Sequence, residues 1–370
     1  ERIVKIRLWR GELHYSGVTL YTASSGPVSG LDTLWLTLED QGQCGLGEVR
    51  LNISYLHGYT PEQVITNLLP VLSDWQTLPV GQELLSAIHG PESPLLAPGR
   101  MLLDMAVHDF LARSQQQTLA EFLGGTAGNA EFSTNQTLFW GSEQQLLAQA
   151  QQYVSRGFTQ LKLRVGISDF DTDLARLTLL RDTFGQDISL AVDVNGQWTL
   201  PQARQAFARL QPLQLSYIEQ PLPASQDAEL SALEEYGIPV MLDESLNSQA
   251  ALQRLMAAEG RLWGHLKLVK LGGIAPLVSA ARQLKAAGVP FMIGQMNEGH
   301  AATAAALQLC YLLQPAFAEL YGADGLTDDP ASGLTYQQGR IRASDIPGLG
   351  VRFDMTTATL LQEFSDAKTR

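Results

Sequence analysis

Between about residue 130 and residue 320 the chain repeats one unit, a short apolar run followed by an amphipathic segment. Strand-like cores fall at 132–139, 159–165, 188–194, 215–219, 238–243, 265–269, 289–293 and 317–320. Between the first two, Leu146, Leu147, Ala150, Tyr153 and Val154 recur at helical spacing. Pro201 stands where a first helical turn would open, and Pro221 where a strand has ended. Eight strands, seven of them followed by a clear helix, is the count of a TIM-type (β/α) barrel. A doubly wound open sheet would alternate in the same way, but there is no Gly-rich dinucleotide fingerprint. The expected fold class is therefore α/β, with the barrel over residues 126–339.

Residues 1–125 have a different rhythm. Strand-like runs at 3–8 and 34–38 come first, Gly45-Leu46-Gly47-Glu48 closes a turn-rich stretch, and helical patterns follow from Pro61 and through Met101, Met105 and Phe110. This reads as a small α+β unit. The segment 14–30, rich in Ser, Thr and Gly, reads as a long loop. The irregular stretch 340–370 is expected to return to this N-terminal unit and complete it.

Functional side chains of a barrel stand at the C-terminal ends of its strands. Here Lys162 and Arg164 lie on the second strand, Asp193 ends the third, Glu219 the fourth and Asp243 the fifth, and the sixth carries Lys267. From Lys162 onward the spacings are 31, 26, 24 and 24 residues, about one β/α unit each. Three carboxylates on adjacent strands repel one another unless a cation neutralises them. All-oxygen ligands on a rigid frame suit Mg²⁺ or Mn²⁺. A hard cation flanked by basic groups is built to hold a small carboxylate substrate and to stabilise its enolate while an amine takes the α-proton. The plainer alternative, in which each acid caps a helix or pairs with a local lysine, serves for any one of them better than for three in register.

At these residues the chain resembles the enolase superfamily, in its muconate-lactonizing-enzyme subgroup (mandelate racemase/muconate cycloisomerase-like). The matching stretches are Lys162-Leu-Arg164, Asp193-Val-Asn195, Glu219-Gln-Pro221, Asp243-Glu-Ser245, Lys267-Leu-Val-Lys270-Leu-Gly-Gly273 and Asn297-Glu298-Gly299. The resemblance implies an N-terminal capping domain over the barrel and Mg²⁺ on Asp193, Glu219 and Asp243. Lys267 would be the base on one face of the substrate, with a depressed pKa, and Lys162 would help hold the carboxylate. Glu298 would lie beside the site at the end of the seventh strand, Glu298 and Asn195 would contact substrate, and substrate selection would fall to residues 14–30 with a second contact near 52–59. Further candidates for substrate contact are His300 at a helix start, His57 in a cap loop, and Asp324, which would meet a substrate ammonium as acidic groups there do in some relatives. For His300 a helix-terminus role, and for Asp324, Asp328 and Asp329 a solvated acidic loop, are the plainer readings. His265 is expected to be structural, and Glu244 to point the other way on its strand and to support the site residues or the structure.

One residue departs from the subgroup pattern, which has Lys-x-Lys where this chain has Lys162-Leu-Arg164. Arginine stays protonated and makes a poor base. A racemase needs two acid/base groups, so the sequence favours a one-base lyase, a dehydratase of a hydroxy or hydroxyamino acid. A racemase or epimerase of an amino-acid derivative and a cycloisomerase are the alternatives. Outside catalysis stand a metal-dependent carboxylate-binding protein and a silent structural barrel. The net charge of −13 excludes nucleic acid and anionic membrane as main partners. Two cysteines, Cys44 and Cys310, are too few for a disulfide framework. No run is long enough for a transmembrane helix, no signal-peptide core opens the chain, and a cytoplasmic homo-oligomer is the expectation.

Overall fold

The computed structural model describes residues 4–16, 20–22, 26–126, 130–139 and 141–365. Its largest sheet has eight parallel strands: Gln136–Leu138, Gln160–Arg164, Ser189–Asp193, Ile218–Glu219, Val240–Leu242, Leu262–Lys267, Phe291–Gly294 and Phe317–Glu319. Each pairs with the next in chain order, as right-handed β/α crossovers dictate. The circle closes where Asn135 N–H donates to Ala318 O at 3.0 Å and Leu320 N–H donates to Thr134 Oγ1 at 2.8 Å. This is the barrel that the alternating pattern predicts. Pairing aligns Arg164 with Asp193 and Asp193 with Glu219, and on the other side Lys267 with Gly294 and Gly294 with Glu319. Register alone thus gathers these charges at the C-terminal rim.

The intervening helices start where short polar side chains satisfy their free N–H groups. Ser142, Asp169, Thr199 and Ser248 each accept from a backbone N–H three residues on, opening Glu143–Ser155, Phe170–Phe184, Leu200–Leu210 and Gln249–Ala257. The fourth connection, Ala224–Tyr236, is wound as 3₁₀ turns. Helices Ile274–Ala286 and His300–Leu313 follow strands six and seven. Two strands differ from expectation. The first is split: Glu131–Ser133 leaves the barrel to pair with Arg340–Arg342, and three residues remain in it. The sixth stops at Lys267, because Leu268–Leu271 already forms a helical turn.

The remaining four-stranded antiparallel sheet has the order Leu360–Phe364, Lys5–Leu13, Leu31–Asp40, Gln43–Arg50. The C-terminal segment thus returns to the N-terminal unit, as expected. Gly45 and Gly47 lie inside a strand and not in a turn. A Cβ on either would stand 2.1 Å from Ala106 O or 2.0 Å from Leu102 O, so the glycines let the sheet press directly on helix Ala97–Ser114. Of the loop 14–30, residues 17–19 and 23–25 lie outside the described residues. Leu20–Thr22 pairs with Gly26–Val28 in a short ribbon. No helix among the described residues is long and apolar enough to cross a membrane. Both cysteines are free thiols.

Candidate active site

Buried charge collects at one end of the barrel. The Lys162 ammonium meets Glu319 at 2.6 Å, Glu219 at 3.0 Å and Asp193 at 3.6 Å. Across the ring, Lys267 donates to Asp243 Oδ2 at 2.7 Å, and Lys270 stands 2.7 Å from Asp243 Oδ1. All of these groups except the half-buried Lys270 are nearly inaccessible as whole residues. The charges are shared unevenly. Burial would raise Asp243, but Lys267 and Lys270 outweigh it and hold its carboxyl well below the usual range. Burial, with Glu219 next to it, pushes Asp193 up to about 7 despite Lys162 and Arg164. Glu219 also rises to about 7, first by burial. A cluster with too little positive charge around two of its carboxyls is the kind of donor set that a divalent cation completes.

Among the described residues, the acidic and histidine groups whose ligand atoms lie within 4.8 Å of one another are Glu219, Asp243 and His265. His265 is not among the residues that line the neighbouring cavity. Its Nδ1 is 3.1 Å from Glu219 Oε2, and its Nε2 is packed against Gly294, where a Cβ would come within 2.0 Å. Burial holds the imidazole neutral, with its pKa well below the ordinary value. Asp193 and Asp243, in contrast, line a cavity of about 90 Å³ together with Lys162, Arg164, Asn195, Glu244 and Lys267.

Sequence reasoning missed several of the groups in this cavity. Glu244 is one: strand five has already ended at Leu242, so strand alternation no longer governs it. It lines the cavity instead of pointing away, accepts from Asn195 Nδ2 at 2.9 Å, and is raised to about 8 by burial and the charges of Asp243 and Asp193. Glu319 is another, and the rule that found the others would have found it, since it ends the eighth strand. Val28 and Tyr55 reach the same cavity from the cap, within the segments 14–30 and 52–59 that the resemblance singled out, and Arg50, which no local signal marks, joins them. Lys267 also differs from expectation. Burial acts to lower its pKa, but Asp243, Glu219 and Glu319 outweigh burial and raise it above the ordinary lysine value.

Other candidates lie off the wall of this cavity. Glu298 is buried, accepts from Met296 N–H at 3.0 Å and is pushed to about 7 by burial. His300 opens its helix with its N–H on Asp329 Oδ2 at 2.7 Å, and His57 stacks on Tyr59. Asp324 pairs with Arg156 at a neighbouring groove. Asp328 is bound to His14, at 2.6 Å.

Comparison with known proteins identifies the family. The family described as "Enolase C-terminal domain-like" matches residues 145–357. The chain is 32% identical to an L-Lys-D/L-Arg epimerase of Methylococcus capsulatus over 70% of this chain and 73% of that one. It is 28% identical to an N-succinyl-L-Arg/Lys racemase of Bacillus cereus over 71% and 72%. A solved structure of a dipeptide epimerase from Methylococcus capsulatus, complexed with Mg and the dipeptide L-Arg-D-Lys, superposes with a TM-score of 0.86 at 26% identity, covering 95% of this chain and all of that one. By barrel, cap and matched family, the chain is an isomerase-type enzyme of the enolase superfamily and belongs to its muconate-lactonizing-enzyme-like branch.

Proposed function

We propose that this enzyme inverts the α-carbon of an amino-acid derivative, as a racemase or epimerase, rather than eliminating water from a hydroxy acid. The lyase reading rested on Arg164 as the loss of a second base. The observation against it is the position of Lys162, whose ammonium sits in the same ring of carboxylates as Lys267, on the wall opposite. Strands two and six are four apart in a barrel of eight, so two amines flank one small cavity from opposite sides. The names of the racemase and epimerase relatives support the same reading.

In this proposal Asp193, Glu219 and Asp243 would hold one Mg²⁺, which would supply positive charge beside the substrate carboxylate and so acidify the α-proton. Arg164 grips the substrate carboxylate with its planar fork, a task suited to a cation that never gives up its proton. Lys267 takes the α-proton from one face, and Lys162 returns one from the other. Glu319 and Glu219 keep the Lys162 ammonium aimed into the cavity.

The test is α-hydrogen exchange in D₂O, followed by NMR from each epimer of an acylated amino acid or dipeptide. Lys267→Ala should stop wash-in from one epimer and Lys162→Ala from the other, each by at least ~100-fold. If Lys162→Ala leaves both epimers exchanging at the wild-type rate, the second proton carrier is a different group. Loss of water from the substrate would restore the lyase.

A further inference from the structure

The cavity of about 90 Å³ falls well short of the roughly 300–1,000 Å³ of an ordinary small-molecule site. It has room for a carboxylate and its α-carbon, and for little else. Beside it opens a groove of about 940 Å³. Thr137, Phe139, Asn297 and Tyr321 line both spaces, so a ligand seated in the first extends into the second.

One wall of the groove is helix Glu143–Ser155, which presents Gln145, Gln149 and Gln152 on a single face at spacings of four and three residues. Past its end stands Arg156. Its guanidinium lies over the Phe158 ring, 5.3 Å from the centroid, and forms an ion pair with Asp324, which follows the eighth strand on the opposite wall. Arg156 and Asp324 are the charged groups among the described lining residues, and they neutralise each other. The other polar groups are amides, phenols and the hydroxyls of Ser16 and Thr137, with Gln149 donating to Tyr153 Oη at 3.4 Å and Asn297 donating to Tyr15 Oη at 3.0 Å.

We propose that this groove receives the remote end of the substrate, and that this end is uncharged and rich in amide or hydroxyl groups. The inference rests on the reading of the small cavity as the seat of the reacting carboxylate. A side-chain amide offers both donor and acceptor, and so matches the same pair on a ligand amide. A tail carboxylate or ammonium would meet one charge of each sign, gain little from the pair, and lose water on entry.

Three ligands separate the possibilities: N-acetyl-glutaminyl-, N-acetyl-glutamyl- and N-acetyl-lysyl-alanine, which share one head and differ in tail charge. Calorimetric titration of the Mg²⁺-loaded protein should show the glutaminyl ligand bound roughly tenfold more tightly than either of the others. Asp324→Asn exposes the charge of Arg156 and should shift preference several-fold toward the glutamyl tail. Arg156→Gln exposes Asp324 and should shift it toward the lysyl tail. Affinities that ignore tail charge in all three proteins would overturn the groove assignment. Exchange of the α-proton is read separately on the same ligands. Exchange without tail discrimination leaves the epimerase and removes the groove; discrimination without exchange does the reverse. A protein that binds Mg²⁺ but none of the three ligands would overturn both.

Discussion

Strands two and six face one ring of carboxylates from opposite walls of the barrel, and they hold their lysines differently. Lys162 is shared among Glu319, Glu219 and Asp193, three acids from three other strands. Lys267 rests on Asp243, whose second oxygen lies 2.7 Å from Lys270, and it also donates to Met296 Sδ at 3.6 Å. Three anions surround the Lys162 ammonium, whereas Lys267 and Lys270 share one carboxylate, and Lys270 is held further by Asp243 O at 2.7 Å and His265 O at 2.9 Å. The Lys267 side thus has fewer anionic partners than the Lys162 side. An epimerase built this way would treat its two epimers unequally in rate, though not in equilibrium.

The largest way to break the contrast is at Asp243, on which the sixth-strand side depends. Asp243→Asn should cut turnover by ~10³-fold and weaken Mg²⁺ binding, as one charged ligand to a hard cation is lost. Chelator treatment of the unmodified enzyme should abolish activity and added Mg²⁺ restore it; full activity after stripping would remove the metal from the proposal. A smaller effect belongs to the second-strand side. Arg164→Lys should raise KM by ~10-fold with modest change in kcat, because a point charge replaces a fork. If exchange from one epimer instead rises or vanishes, residue 164 and not Lys162 handles that face.

The smallest effect concerns how the cap steadies the sixth side. Asp104 accepts from Ile274 N–H at 2.6 Å and Ala275 N–H at 3.3 Å, capping the helix that follows Lys267, and it also meets His89 and His108. Burial would raise Asp104, but the two histidines and the hydrogen bonds outweigh it and bring it to about 2 from 3.8. A depressed carboxyl contributes stability above its unfolded pKa and loses it as pH falls through the folded one. Asp104 should thus lose ~2 kcal/mol between pH ~4 and pH ~2. His108, raised by Asp104 against burial, contributes with the opposite sign and is lost as pH climbs above 6.5 through its folded pKa. Urea unfolding of Asp104→Asn across the acid range should lack the carboxyl step; an unchanged slope would show that the cap does not depend on this contact.

Much of this site was legible in the sequence because a barrel converts chain spacing into geometry. One charged residue per β/α unit, from Lys162 to Lys267, becomes one rim when consecutive strands pair. What escaped has physical reasons. Glu244 follows a strand that has stopped, so its direction depends on a turn and not on alternation. Gly45 and Gly47 resemble turn residues, yet answer to a helix more than fifty residues away in the chain. Arg50 enters the cavity only because the cap docks where it does, a long-range fact with no local pattern. The reaction class shifted for a related reason. The sequence shows that Arg164 replaces a base, but only the fold shows where Lys162 reaches.

Helix Ala97–Ser114, against which the two glycines press, has a wider consequence. It is buried nearly all round. The cap sheet lies on it through Gly45 and Gly47, the barrel is tied to it through Asp104, and Asp109 and Arg113 hold Leu349 and Val351 of the C-terminal segment. Neither unit can release this helix without exposing apolar surface of its own, so the boundary drawn in sequence is not a boundary in cooperativity. The molecule should melt as one body, and substitutions in this helix should lower the stability of cap and catalytic rim together.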